Sequence, residues 1–367
     1  MKRRSFIKKG ALGTITLGTL GCSALRTKYK LEQKLPDLSD LSFEVTMPKP
    51  SGGTMPYGEI GSTGIKVSKF AFGSHISQSL LTYEKERQVM IREAYELGIN
   101  FFDIYEKRWN IFQYEPMGRH LSPFIKDVVI SIFMDPYDGR TVEQEFERAL
   151  KLLGRDYIDM VRTQAFSPED SYWNHWETLF KLKEKGYIRA VGMPLHFTEE
   201  IPKTLALYET YPFDYVIFPY NFYHNVIWDG RRGVNFDPMV KKLREKGVGI
   251  IVMKPMGSDH LIRSFINAAE KLDETGEISF GPTALKYILN SGLNPDTTLN
   301  GMYTLDHVYE NIAVYFNPLM TPEEEKLLEK LRKRTKVVEN YLLPEHYKFL
   351  RQWAPDYNGD LNGNTLT

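Results

Sequence analysis

Residues 69–104, KFAFGSHISQSLLTYEKERQVMIREAYELGINFFDI, contain a strand, a helix and a second strand in succession. The short apolar runs 69–73 and 100–104 are typical of buried strands, and the amphipathic stretch 84–97 between them is long enough for a helix. A helical crossover lets the two strands run parallel. The segment therefore predicts one βα unit of a parallel sheet.

The same alternation continues for eight rounds along the chain, after a short hairpin at 58–67. An open, doubly wound sheet would need a glycine-rich GxGxxG turn after an early strand, and the sequence has none. We therefore predict a closed (β/α)8 TIM barrel with an N-terminal hairpin and a C-terminal helical extension. The later strands are predicted at 128–133, 158–164, 188–193, 215–220, 249–254 and 298–301.

The predicted helices follow the 3.6-residue period of apolar side chains. The stretch 141–153 ends at Gly154, and glycine is suited to cap a helix C-terminus. The seventh helical layer is predicted as two pieces, 260–272 and 282–289. The remaining predicted helices are 84–97, 173–185, 199–208, 305–315 and a last one at 322–334.

The composition excludes several classes of protein. The 367 residues include 47 Lys and Arg and 47 Asp and Glu, so no net charge draws the protein to nucleic acid. Cys22 is the only cysteine, which excludes an internal disulfide framework and a multi-cysteine metal site. The eight histidines lack metal-ligand spacing, so we predict no metal site.

The first 22 residues resemble a twin-arginine export signal. Arg3 and Arg4 are followed by Phe6 and Lys8, and then by a weakly apolar run at 10–21 that contains threonines. A membrane anchor is the alternative, but a span needs about 20 predominantly apolar residues and this run is shorter. The sequence therefore predicts the twin-arginine export machinery as a partner, and no transmembrane span in the mature chain.

Cys22 directly follows the apolar run and is a candidate lipid anchor. Lipoprotein signals usually place leucine three residues before the cysteine, whereas this chain has Thr19, so lipidation is left open. The expected location is periplasmic or, as a lipoprotein, membrane-anchored, in a bacterium. Four regions are predicted: a signal at 1–22, a linker at 23–56, a barrel at 57–337 and a C-terminal tail at 338–367.

Several short motifs, in order and without gaps in spacing, resemble those of the aldo/keto reductases. That family carries out NAD(P)H-dependent reduction of aldehydes and ketones, or the reverse reaction. The resemblance therefore implies a small carbonyl or hydroxyl compound as substrate, and NADP or NAD as cofactor. The motifs are GSTGIKVS at 61–68, AYELGINFFD at 94–103, ALKLLGRDYID at 149–159, GYIRAVG at 186–192, PYN at 219–221, MKPMG at 253–257 and EN at 310–311.

The resemblance implies a catalytic tetrad of aspartate, tyrosine, lysine and histidine at the strand ends, and only one member matches. The aspartate is Asp103, at the end of the second predicted strand. The tyrosine position falls on Arg108, the lysine position on Phe133 and the histidine position on Gln164. The family's usual proton relay is therefore altered in this chain.

Strand alternation suggests a substitute for the missing lysine. Arg162 lies two residues before Gln164, so both side chains should point to the same side of the strand, into the barrel. We hypothesise that Arg162, with or without Arg108, pairs with Asp103. A guanidinium could stabilise an oxyanion but could not donate a proton, so Tyr105, Tyr114 or Lys254 would be the acid. The alternative is a buried ion pair without chemistry.

The cofactor positions are carried over from the same resemblance. Loops after the seventh and eighth strands of such barrels commonly bind phosphate with a helix N-terminus. His307 stands where an arginine usually stacks on the adenosine, and Gly301 where a lysine often contacts the 2′-phosphate, so both NAD and NADP remain open. The predicted cofactor-binding residues are His196, Asn221, Lys254, Pro255, Gly257, Ser258, Gly301, Met302, Thr304, His307, Glu310 and Asn311.

Three functions are consistent with these patterns. The first is an NAD(P)-dependent oxidoreductase with an altered tetrad. The second is a catalytically inactive barrel that binds a ligand or partner in the cell envelope. The third is an envelope enzyme acting on sugars, through a tightly held cofactor or through carboxylates such as Asp103 and Asp135, with aromatic residues at the mouth of the barrel.

Overall fold

The computed structural model describes residues 38–41, 43–74, 84–106, 113–164, 172–196, 200–222, 227–228, 231–232, 236–256 and 278–334. The predicted signal, Cys22, the predicted helix 260–272 and the tail 338–367 lie outside these residues. Within them, parallel strands close into a barrel, each pairing with its neighbours along the chain. The barrel strands are β3 (Phe70–Gly73), β4 (Phe101–Ile104), β5 (Val129–Phe133), β6 (Ile158–Arg162), β7 (Ile188–Pro194), β8 (Tyr215–Pro219), β11 (Gly249–Met253) and β12 (Thr297–Gly301).

The closed sheet confirms the predicted (β/α)8 barrel. Its order is β11-β12-β3-β4-β5-β6-β7-β8. The strands are short apolar runs whose residues are nearly all buried, as expected when a barrel has side chains inside and helices outside. Two short antiparallel pairs complete the strands of the described residues: β1 (Tyr57–Glu59) with β2 (Lys66–Ser68), and β9 (Ile227–Trp228) with β10 (Arg231–Arg232).

The N-terminal hairpin β1–β2 closes the bottom of the barrel. Ile60, Ile65 and Val67 are buried in one core cluster with inward-facing residues of the barrel strands. The Gly61 N–H donates to Asp296 Oδ2 at 2.9 Å, and a Cβ at Gly61 would lie 2.2 Å from a carbonyl oxygen of the chain before β11. The hairpin therefore plugs the end opposite the strand carboxyl termini.

In the described part of the chain, the helices predicted at 84–97, 141–153, 173–185, 199–208, 282–289, 305–315 and 322–334 are present within two residues at each end. The helix predicted at 141–153 begins with a capping box, in which Thr141 Oγ1 accepts from Gln144 N at 3.3 Å, and ends at Gly154 with φ of 66°. The helices are α1 (Glu84–Glu96), α2 (Tyr114–Leu121), α3 (Val142–Leu153), α4 (Trp173–Glu184), α5 (Glu200–Thr210), α6 (Asp237–Glu245), α7 (Phe280–Asn290), α8 (Leu305–Phe316) and α9 (Pro322–Arg334).

Part of the predicted linker 23–56 packs on the barrel. The backbone N–H and hydroxyl of Thr46 both donate to Asp306, at 3.0 and 2.7 Å, in the first turn of α8. Lys49 Nζ lies 2.7 Å from a carboxylate oxygen of Glu93 in α1. The chain is therefore in contact with the barrel from about residue 46. Of the helices that the structure describes, none combines the length and apolar character needed to cross a bilayer.

Candidate functional site

The carboxyl ends of the barrel strands hold a buried ion pair between Asp103 of β4 and Arg162 of β6. Arg162 Nη2 donates to Asp103 Oδ2 at 2.9 Å, and Nη1 contacts Oδ1 and donates to Ser131 Oγ of β5 at 3.0 Å. The side chains are 4% and 5% exposed. The hypothesis that Arg162 pairs with Asp103 is confirmed, whereas Arg108 lies outside the described residues.

Arg162 remains charged in this position. Burial by itself would lower the pKa of Arg162, but the Asp103 carboxylate outweighs it and holds the pKa above its ordinary value. The three hydrogen bonds use three of the five N–H donors of a guanidinium. The group therefore combines a fixed positive charge with donors that can serve a ligand.

Tyr105 and Phe133 lie beside the guanidinium of Arg162. The Arg162 Cζ atom is 5.9 Å from the Tyr105 ring centroid and 5.8 Å from that of Phe133, and the two rings are 5.3 Å apart. Burial raises the pKa of Tyr105 despite the opposing effect of Arg162, and the nearby Asp135 raises it further. The phenol is therefore protonated at ordinary pH and can donate a hydrogen bond, whereas its raised pKa makes it a weak proton donor. Phe133 occupies the expected lysine position with an apolar ring.

A second polar group, which we call the mouth cluster, consists of Asp135, Thr163, Tyr172 and His175. The Tyr172 hydroxyl donates to Asp135 Oδ1 at 2.6 Å, and Thr163 Oγ1 lies 3.2 Å from His175 Nδ1. The Tyr172 and His175 rings meet edge to face at 5.0 Å. Of these four residues, only Asp135 is indicated by the sequence. Thr163 and Asp135 lie just beyond the ends of strands β6 and β5, and this position is the feature of the sequence that could have indicated both.

The segment that follows β4 is anchored by the buried carboxylate of Glu106. Its Oε2 accepts from the Tyr114 backbone N–H at 2.8 Å, and its Oε1 accepts from the Tyr137 hydroxyl at 3.0 Å and from Arg148. Tyr114, one of the proposed acids, directs its hydroxyl to the Phe133 carbonyl at 3.3 Å, and burial raises its pKa well above the ordinary value. Glu106 therefore joins the end of β4 to the start of α2 and to Arg148 of α3.

The proposed phosphate-binding end lies at the tips of β8, β11 and β12. Lys254 has a φ of 55°, a left-handed conformation that is uncommon for a residue with a side chain. Its carbonyl accepts from Asn221 Nδ2 at 3.3 Å. Pro255 and Met256 are buried, and Asn300 Nδ2 lies 3.9 Å from Met256 Sδ. The start of the loop after β11 is thus packed against the floor of the barrel mouth, while Gly257 and Ser258 lie outside the described residues.

The N-terminus of α8 offers backbone donors and a nearby buried cation. Thr304 caps the helix, since its Oγ1 accepts from His307 N at 3.2 Å. Arg87 Nη1 donates to the Met302 carbonyl at 3.2 Å in the turn that leads from Gly301 into α8. Burial lowers the pKa of Arg87 to about 9, and its Nη2 has no hydrogen-bond partner in the described part of the chain. A helix N-terminus beside a cation suits an anionic phosphate.

The other predicted site residues take unremarkable positions. Gln164 is half-buried directly after β6. The His196 backbone N–H donates to Glu200 Oε2 at 2.6 Å. Glu310 is half-buried on α8, and the Asn311 side chain is buried near α7, where a Cβ at Gly281 would lie 3.8 Å from Asn311 Oδ1. In the described segments, no cluster of three or more His, Cys, Asp or Glu could hold a metal ion.

The closed barrel, with charged and hydroxyl side chains at the carboxyl ends of its strands, places the chain among (β/α)8 barrel proteins. The sequence profile of the Aldo/keto reductase family matches residues 73–333. The chain belongs to this family, whose members are oxidoreductases.

Two known proteins illustrate how far the likeness extends. L-galactose dehydrogenase of Arabidopsis thaliana is 25% identical over 292 residues, which cover 69% of this chain and 86% of that protein. The structure of an aldo-keto reductase from Bacillus halodurans, solved in its holo form, superposes with a TM-score of 0.60 at 20% identity, covering 78% of this chain and 99% of the other. The second comparison supports the fold.

Proposed function

We propose that this chain is an NAD(P)-dependent oxidoreductase that acts on a small hydroxyl or carbonyl compound with an altered catalytic tetrad. The observation that carries the proposal is the Asp103–Arg162 pair, a buried charge held at the strand ends where the family performs its chemistry. A buried pair of this kind contributes little to stability by itself, so a role at the site accounts for its presence.

The dinucleotide would supply the hydride for reduction or accept it in oxidation. Lys254, Pro255 and the turn Gly301–Thr304 would hold its phosphates, with the N–H groups of α8 and the positive charge of Arg87 nearby. His196, Asn221, Gly257, Ser258, His307, Glu310 and Asn311 complete the proposed contacts by family resemblance. The donor set fits a phosphate, because backbone N–H groups and a cation stand at one helix end.

The chain's own residues would handle the charge on the reacting oxygen. Arg162 would stabilise negative charge there through its remaining N–H donors, and Asp103 keeps the guanidinium in place. Tyr105 is the proposed acid, because its ring lies beside Arg162, whose positive charge favours the phenolate and opposes the raising effect of burial on the Tyr105 pKa. Gln164 would orient the substrate by hydrogen bonding in place of the usual histidine, and Arg108 stands at the tyrosine position by family resemblance alone.

The substrate class that we propose is a polyhydroxylated compound such as a sugar. The support is the named activity of the Arabidopsis relative, together with the polar mouth cluster. Twin-arginine export and a lipid anchor at Cys22 remain proposals drawn from the sequence, and they would locate the enzyme in the bacterial periplasm or on its membrane.

A non-catalytic envelope barrel is the second candidate. It is favoured by the replacement of three tetrad positions, above all by Phe133, whose ring fills the lysine position and contacts Tyr105. Such a protein would bind a ligand or partner without hydride transfer.

Titration of the purified mature chain with NADP⁺ and NAD⁺, followed by tryptophan fluorescence, separates the two candidates. Micromolar or tighter binding supports the oxidoreductase, and the absence of binding of either nucleotide would reject it. A hydride-transfer assay on the wild type, Asp103→Asn and Gln164→His would follow. Loss of activity in Asp103→Asn with unchanged nucleotide binding is the expected result, whereas equal activity would reject the role of the pair.

A further inference from the structure

The N-terminal strap, which we define as residues 43–49, is bonded to the start of α8 through the carboxylate of Asp306. Thr46 N donates to Asp306 Oδ1 at 3.0 Å and to Oδ2 at 3.1 Å, and the Thr46 hydroxyl donates to Oδ2 at 2.7 Å. Met47 N donates to Oδ1 at 3.0 Å. Burial would raise the pKa of Asp306, but these bonds and His307 outweigh it and hold the pKa below its ordinary value. Both carboxylate oxygens are therefore engaged by the strap, and the carboxylate stays ionised.

Asp306 is the second residue of α8, at the helix end that is proposed to bind phosphate. The first backbone hydrogen bond of the helix runs from Val308 N to the Thr304 carbonyl at 3.3 Å, and Thr304 Oγ1 accepts from His307 N at 3.2 Å. This pattern leaves the N–H groups of Leu305 and Asp306 to bind an anion. An aspartate side chain in a first turn can itself reach such N–H groups, and its charge repels a second anion. The direction of the Asp306 side chain therefore matters to the phosphate site.

The charges at the start of α8 lie on opposite sides of it. On the buried side, Arg87 is 6% exposed, its Nη1 donates to the Met302 carbonyl at 3.2 Å, and its Nη2 has no hydrogen-bond partner in the described segments. On the exposed side, Asp306 is bonded to the strap. A phosphate at this helix end would meet the cation and the N–H groups, while the carboxylate is bonded elsewhere.

We infer that the strap keeps the Asp306 carboxylate away from the phosphate site, so that Thr46 and Asp306 are positioning residues for a phosphate group of the ligand. The inference rests on the proposed function, in which that ligand is the dinucleotide, and it adds the chain before the barrel to the binding site. Released from the strap, the carboxylate would compete with the phosphate for the N–H groups of α8. The strap thus raises the affinity for the ligand without contacting it.

Calorimetric titration of the full mature chain with NADP⁺, NAD⁺ and inorganic pyrophosphate tests the inference. Thr46→Pro removes both the N–H and the hydroxyl donor of Thr46, and it should weaken the binding of at least one probe about 3- to 10-fold, the effect of a charge at a helix end. Thr46→Val removes only the hydroxyl and should weaken binding less. Lys49→Met is the matched control, because it removes the ion pair of the strap with Glu93, 2.7 Å long, and leaves the donors to Asp306 in place.

The double variant Thr46→Pro with Asp306→Asn separates positioning from stability. Asparagine carries no charge, so the double variant should bind each probe within about twofold of the wild type, although its strap has lost the same donors. If Asp306→Asn does not restore the affinity, or if Thr46→Pro binds as tightly as Lys49→Met, the inference is wrong. Should Thr46→Pro fail to fold, as judged by circular dichroism, Thr46→Val with and without Asp306→Asn gives the same comparison.

Pyrophosphate distinguishes the inference from the proposed function. Pyrophosphate binding that falls in Thr46→Pro and recovers in the double variant, in a chain that binds neither NAD⁺ nor NADP⁺, would uphold the positioning role while rejecting the oxidoreductase. Nucleotide binding that is equal in the wild type, Thr46→Pro and Lys49→Met would reject the positioning role and leave the oxidoreductase standing. If the wild type binds none of the three probes, both are wrong.

Discussion

At the scale of single residues, we propose that an arginine takes the place of the lysine that the family resemblance implies beside Asp103, and that it comes from a different strand. The family's lysine position is Phe133 on β5, whereas the partner of Asp103 is Arg162 on β6. A guanidinium reaches the carboxylate through two nitrogens and stays charged at all working pH, so it can lower the pKa of a neighbouring tyrosine by its charge but cannot itself donate a proton. In the proposed mechanism, charge stabilisation and proton transfer would therefore fall to different residues.

Breaking the Asp103–Arg162 pair should destabilise the fold. Arg162→Met leaves the Asp103 carboxylate buried without its cation, and we expect the free energy of unfolding to fall by about 3–5 kcal/mol. Urea denaturation followed by circular dichroism measures the change. The double variant Asp103→Leu with Arg162→Met should recover much of the loss, because it removes both buried charges. Equal stability of Arg162→Met and wild type would contradict a paired, buried role.

His120 should make the protein sensitive to acid. Burial, with the cations Arg119 and Arg87, lowers its pKa from 6.5 to about 3, although a Glu84 oxygen lies 3.5 Å away. The folded state favours the neutral form of His120. The stabilisation that this preference gives the folded state is therefore complete above pH 6.5 and is lost as the pH falls towards 3. At about 1.4 kcal/mol per pH unit, about 2–3 kcal/mol should be lost between pH 6.5 and 4.5.

The measurement is the free energy of unfolding in urea at pH 7.5 and pH 4.5, for the wild type and His120→Gln. The glutamine keeps polar atoms at the position but cannot take up a proton. The stability difference between the two proteins should therefore change with pH in favour of His120→Gln at pH 4.5. If the free energies of unfolding of the two proteins change with pH in parallel, the pKa of His120 does not rise on unfolding.

At the scale of elements, two helix caps of the same kind allow a matched test of the phosphate site. Thr141 and Thr304 each accept a hydrogen bond from the backbone of the first helical turn, in α3 and α8. Replacing either by alanine should cost about 1 kcal/mol of stability. Only Thr304→Ala should also weaken NADP⁺ or NAD⁺ binding, by several fold, in a fluorescence titration. If both variants change nucleotide binding equally, the start of α8 is not part of the phosphate site.

The elements also differ in how readily the sequence predicts them. The barrel strands and the helices α1, α3, α4 and α8 were predicted within a few residues, because their apolar periods are regular and α3 has a glycine at its end. No bounds were predicted for α2 or α6. Helix α2 contains Pro116 and Gly118, which weaken a helical pattern, and α6 is only nine residues long with a proline at its start. Tertiary packing stabilises both.

At the scale of the whole molecule, the barrel interior leaves no room for a side chain at Gly192. This glycine of β7 pairs in register with Tyr215 of β8, and a Cβ on it would lie 2.2 Å from the buried Tyr215 ring. Gly192→Ala should therefore cost about 1–3 kcal/mol or more, because the ring has to move in a packed core. Urea denaturation measures it.

The control for Gly192→Ala is Gly281→Ala in α7. There the nearest atom to a new Cβ is the flexible Met256 Cε at 3.3 Å, and alanine favours a helix over glycine. The stability of Gly281→Ala should change little or rise. A similar loss in both variants would show that glycine replacement is harmful in general, and that Tyr215 is not the cause.

The sequence by itself determined the barrel, the family and the partner of Asp103. The spacing of apolar residues in a strand or helix depends only on which residues of one short segment are buried. Side chains alternate between the two faces of a strand, and this alternation places Arg162 on the inner face. Only the tertiary structure brought Tyr172 to Asp135 and Arg148 to Glu106, pairs separated by 37 and 42 residues. Loops and helix starts have no regular spacing of apolar residues. The positions of their side chains are therefore set by the path that each segment takes at the mouth of the closed barrel.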